Sequence, residues 1–528
     1  MTGTKKRNIH QDPYRHKCQK SLLQLSSSKQ VRLALSILFE DAAPAHSPPP
    51  HSRELWSLCR SAVSECLPWL EEEDQKRVQL ALPKLVGASV PPGKGVVKKQ
   101  FVSVFMAVRR KLLTRRRAAK VLALAREREK QGLYAAACEL YRSCLELVPL
   151  NADCHFSYAM LLWSTTAALT EVEESLRTAI SCSATPQQAQ EARSKLALLL
   201  MQREGQEEEA RKLLMLGGFR YRLSTSVLQH NEEQKGPLKN HRDDQQQKLL
   251  AVLDGALPGR MLSHLQEAFF PDSSFWKEHG YCSYPPSPYF SYLHGLDGSP
   301  KTSMDQVIRL VQQVIGAQFP GVLKACCAEW WAHCRPHPHG HQLHFDSDNE
   351  GEGGVRNPIA TAVLYLTEGV GGPTLMTTQH IKHTKLAERG WLAFPRLNRL
   401  VAIDGEYLHG VIPGRETEEG LPQGRRISLM VAFWGWALQG RPWTDGRPGA
   451  CIPCPDPANL QSTRSSWWAG MQPMQGADAE ASRELTRVGA QPVECVWEDV
   501  CRKTAAHEGC GVDSLDALPN YDLCFQGF

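Results

Sequence analysis

The segment HGHQLHFDSD places His344 and Asp346 two residues apart, a spacing with chemical meaning if the chain there is extended. In a β-strand, residues i and i+2 point to one side, so a single strand can aim an imidazole and a carboxylate at one point. A third ligand is expected later, near the start of another strand. His409 in DGEYLHGVIPG meets that expectation, 63 residues after Asp346. Two histidines and one carboxylate occupy one face of an octahedral ion and leave three positions open, an arrangement suited to Fe(II) working on O2. The competing reading is a His-rich surface loop. His333, His337, His339 and His341 precede the pair, and His380 and His383 follow it. Because an HxD pair arises often by chance, the rest of the sequence must separate the two.

A dicarboxylate held on the metal at one end needs a cation at the other. Arg is favoured there because its fork matches a carboxylate in two hydrogen bonds. In GRRISLMVAFWGW, Arg426 and Ser428 share a strand face and can bind one carboxylate together. Arg425 faces the other way and ranks second. The order HxD, then His, then Arg-x-Ser is far more specific than any one of its parts.

With these residues in place, the segment from about 250 to 440 resembles the double-stranded β-helix of the Fe(II)- and 2-oxoglutarate-dependent dioxygenase superfamily. The similarity is nearest to the prolyl-hydroxylase-like branch, in which an Arg and a Thr precede a YL-containing strand and a GG-x-T turn. RNPIATAVLYLTEGVGGPTLM supplies Arg356, Thr361, Tyr365, Gly371, Gly372 and Thr374 in that order, and GWLAFPRLNRLVAIDGEYLHGVIPG resembles the family's approach to the distal His. The resemblance implies Fe(II) on His344, Asp346 and His409, and 2-oxoglutarate and O2 as co-substrates, with ascorbate as a supporting reductant. It also implies decarboxylation to succinate and CO2 coupled to hydroxylation of a C–H bond. By the same resemblance Tyr365 hydrogen-bonds 2-oxoglutarate, the alternative being an inward core aromatic. Asp346 favours hydroxylation, because halogenating relatives lack that carboxylate. Several features depart from the pattern. Collagen-type prolyl 4-hydroxylases carry Lys where Arg426 stands. The gap from His409 to Arg426 is 17 residues, lengthened by the polar PGRETEEGLPQGR. Ala432 occupies the place where nucleic-acid demethylases carry a second Arg. Leprecan-type prolyl 3-hydroxylases also join helical repeats to this domain, but they are secreted-pathway proteins and this chain shows no signal peptide.

Short β runs follow residue 248: 359–366, 374–379, 390–395, 399–404, 407–411 and 426–436. Gly and Pro punctuate them, which predicts a sandwich or barrel. Upstream the period is helical. QGLYAAACELYRSCLELVPLN sets Gly132, Tyr134, Ala137, Tyr141, Leu145 and Pro149 in helix–turn–helix order and is similar to a tetratricopeptide repeat. Weaker copies fall at Leu169, Val172, Ala179 and Ile180, and at Gly205 and Ala210. The alternative is an ordinary helical bundle. The expected fold is therefore multidomain: an N-terminal all-α helical-repeat region, then an all-β double-stranded β-helix (jelly-roll) domain with flanking helices. The expected divisions are a helical or linker region over 1–100, repeats over 101–228, a polar linker over 229–247, the oxygenase domain over 248–440 and a tail over 441–528. Trp391, Phe394, Phe433 and Trp434 are candidate cavity walls, with plain core as the alternative.

The 528 residues are 42% hydrophobic and 22% charged, ordinary globular values that exclude global disorder. A net charge of +5 implies no general affinity for nucleic acid or membrane. RRKLLTRRRAAK, with seven Lys or Arg in twelve positions, is a solvated helix face or a nuclear-localisation or nucleic-acid patch. No apolar signal region and no apolar run of 18 or more residues stands in the sequence. An intracellular protein, cytoplasmic or nuclear, is the expectation, with its 17 cysteines reduced. Cys451 and Cys454 make one CIPC pair, and a zinc site needs more ligands, so a Pro-rich loop is expected there. The substrate expected first is a protein or peptide presented by the helical repeats, with prolyl hydroxylation the family default. The alternatives are a small-molecule substrate, or a repeat scaffold whose oxygenase domain is inactive.

Overall fold

The computed structural model describes residues 114–166, 168–231, 244–281, 289–348, 356–416, 424–438, 451–453, 467, 471–474, 485–501 and 521–528. The expected region over 1–100, the first part of the basic run, residues 232–243 of the linker, residues 417–423 of the polar insertion and Cys454 lie outside them. The chain divides into two units, Met1–Leu122 with Glu146–Pro149, and Ala123–Leu145 with Leu150–Phe528. Of the first, the described residues are helical over 114–122, plus the end of a helix and its turn over 146–149. The elements that build the site belong to the second unit.

After helical residues 123–130 it continues with α1 (Tyr134–Leu147), α2 (Ala152–Thr165), α3 (Leu169–Cys182), α4 (Pro186–Met201) and α5 (Glu207–Leu216). Their starts are marked in the sequence. Asn151 accepts from the Cys154 amide, and Thr185 accepts from the Gln188 amide with Pro186 at the first helical position. From α2 onward each helix packs on the next. The ends of α2 and α4 that carry Leu161–Trp163 and Leu196–Met201 are buried on every side, which is why their sequences lack a polar stripe. These helices also pack on the β region. The Ser164 hydroxyl lies 2.6 Å from His339 Nε2, Gln202 donates to the Pro413 carbonyl at 3.0 Å, and Lys195 donates to the Gly527 carbonyl at 3.2 Å.

Three sheets follow. The largest has eight strands in the order β12 (Ile452–Pro453), β3 (Tyr292–Gly295), β4 (Cys327–Pro336), β11 (Arg425–Trp434), β6 (Ala360–Tyr365), β9 (Arg399–Asp404), β2 (Leu250–Asp254) and β13 (Thr486–Val488). A five-stranded sheet runs β14 (Gln491–Val493), β8 (Gly390–Ala393), β7 (Thr374–His380), β10 (Tyr407–Val411) and β5 (His341–His344). A small third sheet joins β15 (Trp497–Asp499), β1 (Tyr221–Leu223) and β16 (Cys524–Phe525). The strands after residue 451 add edges to all three sheets.

The large sheet is buried on both faces, and the period of two sorts its residues. One row, Trp330, Ala362, Leu364, Ile427, Leu429 and Phe433, packs on α6 (Gly259–Ala268) and α7 (Ser303–Gly316) through Leu265, Phe269, Val307 and Val311. Each large side chain buried there contributes about 1.5–3 kcal/mol. The alternate row, Val252, Tyr365, Val401 and Ile403, meets Met376 and Trp391 of the five-stranded sheet. Phe433 therefore belongs to the helix-covered core and is no cavity wall. Trp391 fills the space between the sheets, Trp434 packs with Cys327 and Cys451, and Phe394 lies half-buried with its ring 5.8 Å from that of His230. The strand over Cys327–Pro336, absent from the expected β runs, is one of the two longest in the sheet. Among the described residues no helix is long and apolar enough to cross a membrane.

Candidate active site

The His-rich segment is not a surface loop: it crosses from one sheet to the other. His333 lies in β4 and His341 and His344 in β5, with the turn over residues 337–340 between them. Gly340 is needed in that turn, because a Cβ there would meet the Val411 carbonyl oxygen at 2.4 Å. His337 is buried and bridges, accepting from the Gly371 amide at 2.9 Å and donating to the Arg415 carbonyl at 3.0 Å.

His344 ends β5, and Asp346 lies just beyond it, so the strand alone does not aim both groups. Bonds from the large sheet complete the placement. Thr361 on β6 donates its hydroxyl to Asp346 Oδ2 at 2.6 Å, and Asn357 donates to the Asp346 backbone carbonyl at 2.7 Å. The β10–β5 register sets His409 directly across from His344, with ring centroids 4.7 Å apart. His344 Nε2 lies 3.4 Å from Asp346 Oδ1, and His409 Nε2 lies 3.6 Å from Asp346 Oδ2. One donor atom from each of the three residues falls within 4.8 Å of the others.

The hydrogen bonds on the far side of each ring test whether this trio fits a metal. His344 Nδ1 faces the Gln342 carbonyl at 2.8 Å, and His409 Nδ1 faces the Tyr407 carbonyl at 3.0 Å. A carbonyl only accepts, so Nδ1 carries the proton in both rings. The Nε2 lone pairs are left pointing at Asp346, the tautomer a metal ligand needs. Charge agrees with this. Burial alone would raise the Asp346 pKa, but His409, His344 and the Thr361 hydroxyl outweigh it and hold the carboxyl well below its usual range. Burial lowers the His409 pKa. It would do the same to His344, but the Asp346 carboxylate overrides it and leaves that pKa raised. The residues fit a divalent ion with open positions.

Thr361→Val removes the hydroxyl that orients Asp346 while keeping its shape. Divalent-metal affinity is expected to fall about tenfold, the usual cost of losing a group that orients a ligand. Calorimetric titration of Mn(II) into the variant measures this, and an unchanged affinity would deny the hydroxyl that role.

Toward the other end of β11 the same face turns cationic. Arg426 is 2% exposed and Ser428 4%, and they share that face as the spacing predicts. Arg425 turns away, its guanidinium 5.6 Å from the Tyr134 ring. Tyr365 lies directly across from Ser428, with its hydroxyl 2.6 Å from that of Thr374. It is thus an inward aromatic whose polar end lies beside the arginine. Arg426 donates from Nη1 to the Gly372 carbonyl at 3.3 Å, while its buried Nε has no partner among the described residues. Gly371, at φ +93°, makes room: a Cβ there would meet Arg426 Cδ at 2.6 Å. No carboxylate among the described residues pairs with Arg426, and burial lowers its pKa to about 10. A buried cation without an acid is costly unless an anion arrives.

Three residues at the site carried no role in the sequence reading: Thr361, His333 and Arg335. The last two alternate with Ala332 and Cys334 in AHCRP, a period-two pattern that marks them as one face of a strand. His333 lies across from Ser428, and Arg335 across from Arg426. Among the described residues, which do not include Cys454, Cys451 lies in none of the possible metal-holding groups. Its Sγ contacts Glu329 at 3.3 Å, and its amide donates to Ser291 at 2.7 Å.

The chain matches no protein-family model and no curated protein sequence. Solved structures give slight likenesses. A Pseudomonas putida prolyl-4-hydroxylase is 18% identical, with a TM-score of 0.24, covering 36% of this chain and 88% of its own. A 2OG-Fe(II) oxygenase family oxidoreductase from Burkholderia pseudomallei is 11% identical, with a TM-score of 0.23, covering 38% and 88%. Iron-bound HygX from Streptomyces hygroscopicus is 10% identical, with a TM-score of 0.25, covering 41% and 96%. Likenesses this slight carry no weight for function, and the side-chain geometry has to supply it.

Proposed function

We propose that this protein is an Fe(II)- and 2-oxoglutarate-dependent oxygenase with a double-stranded β-helix (jelly-roll) catalytic domain, hydroxylating a C–H bond. The observation that carries the reading is a pairing. Two imidazole Nε2 atoms and a carboxylate converge at one point, and a buried arginine without an acid lies on the same face of the barrel. His344, Asp346 and His409 would hold the metal. Arg426 and Ser428 would take the distal carboxylate of 2-oxoglutarate, with the Tyr365 hydroxyl beside them. When bound, Fe(II) with 2-oxoglutarate supplies O2 activation coupled to decarboxylation, giving succinate and CO2.

The protein's own part is placement and exclusion of water. The Nδ1–H bonds to carbonyls lock both imidazoles, Thr361 and Asn357 lock the carboxylate, and Gly371 and Gly372 close the arginine end. A cavity of about 640 Å³ is lined by Asn357, Pro358, Ile381, Asp404 and Trp436, among others, and Asn357 also donates to the Asp346 backbone carbonyl. A protein substrate with prolyl-type hydroxylation, engaged through tetratricopeptide-like repeats, is the first assignment. A small-molecule substrate is the alternative.

The test is conversion of 2-oxoglutarate to succinate by purified protein with Fe(II) and ascorbate, next to an Asp346→Ala control. Succinate above the control supports the oxygenase. Neither succinate nor 2-oxoglutarate binding from folded, iron-loaded protein would sink it in favour of a scaffold.

A further inference from the structure

The anion site holds one more arginine than the sequence pattern supplies. Arg335 on β4 stands directly across from Arg426 on β11, so both guanidinium stems leave the same face of adjacent antiparallel strands. Each donates to one carbonyl, and Arg335 also hydrogen-bonds the Tyr281 side chain. Arg335 Nη1 donates to Gly340 at 2.7 Å, and Arg426 Nη1 donates to Gly372 at 3.3 Å. In each the Nε is buried without a hydrogen-bond partner among the described residues. Among the described residues neither arginine pairs with a carboxylate. Groups across from or beside them carry no negative charge: Ser428, the Tyr365 hydroxyl, the Tyr281 hydroxyl, and His333, whose Nδ1 lies 3.2 Å from the Tyr281 hydroxyl. Burial and both arginines hold the His333 pKa well below its ordinary value, so that ring adds no charge at neutral pH.

Like charges facing each other across a strand pair repel, and the burial of Arg426 and of the Arg335 Nε limits the water that would screen them. Two such groups with spare donors and no acid are explained if an anion completes the set. We infer that Arg335 is a second binding residue for the distal carboxylate of the co-substrate, so that Arg335 and Arg426 hold it from two adjacent strands. This rests on the oxygenase reading above and extends it. The site then discriminates strongly between a five-carbon 2-oxo dicarboxylate and its monocarboxylate counterpart. Rejection comes from two cations left unpaired rather than one.

The test is calorimetric binding to the full chain loaded with Mn(II) in the absence of O2, comparing 2-oxoglutarate with 2-oxopentanoate, which has a methyl in place of the distal carboxylate. Arg335→Met is expected to weaken 2-oxoglutarate about 10–100-fold while changing 2-oxopentanoate less than about threefold, as befits loss of one charge-assisted contact. Arg335→Lys, which keeps the charge but not the fork, is expected to recover part of the loss. If Arg335→Met binds 2-oxoglutarate as wild type does, or weakens both ligands equally, Arg335 only braces the turn at Gly340 and the assignment falls. If the wild type binds no 2-oxoglutarate, the oxygenase reading falls and takes this one with it. That result differs from either Arg335 outcome.

Discussion

His344→Ala is expected to weaken divalent-metal binding by at least about 100-fold, close to 3 kcal/mol, and to reduce succinate formation to the protein-free background. The reason is the count of ligands: two donors from the chain cannot hold a facial site open to co-substrate. The fold should tolerate the change. The His344 side chain is 30% exposed at the end of an edge strand, and its one hydrogen bond beyond the cluster goes to Gln342, two residues away. The apo variant should melt within about 1 kcal/mol of wild type. Metal titration followed by thermal melts checks both arms, and wild-type metal affinity in the variant would remove His344 from the site. Acidity offers an independent check. The Asp346 carboxylate raises the His344 pKa, so the proton on Nε2 persists to higher pH than on an ordinary histidine. A metal must displace that proton. Affinity should therefore drop by about tenfold per pH unit once the pH falls below that raised pKa, and be flat above it. A pH-independent affinity would mean that the metal is held elsewhere.

Arg426→Met should separate binding from stability. Losing the cation that meets a buried carboxylate costs about 2–5 kcal/mol, so 2-oxoglutarate affinity should fall at least about 30-fold. The ligand-free protein should melt at the same temperature or higher. Arg426 is 2% exposed, lacks an acid partner and leaves its Nε unbonded. Methionine keeps much of the buried stem without the cost of an unpaired charge. Calorimetry with 2-oxoglutarate and a melting curve without it suffice. A variant that loses stability and affinity together would mark Arg426 as a structural residue held by its Gly372 contact.

What the sequence determined follows from the two-residue period of a strand. That period is local, so it put Arg426 and Ser428 on one face and turned Arg425 away, whereas Asp346 lies past the end of β5 and is held by Thr361 and Asn357. It also foretold the strands at Ala360–Tyr365, Arg399–Asp404 and Tyr407–Val411 within a residue or two, because alternation and turn residues are written into the segments themselves. It failed at Cys327–Pro336. There, aromatic and small residues on the helix-packed face and Trp, His and Arg on the other blur the apolar contrast.

The site as an assembled object was decided by pairing between segments far apart in the chain. His409 faces His344 because β10 and β5 pair in one register, and a slip of one residue would turn the imidazole to the opposite face. Thr361 reaches Asp346 only because β6 lies under the loop after β5, and Arg335 meets Arg426 only because β4 pairs with β11. No local pattern encodes a register. It is set by which apolar rows can be buried at once, between the two sheets and beneath α6 and α7, and that choice belongs to the folded chain as a whole.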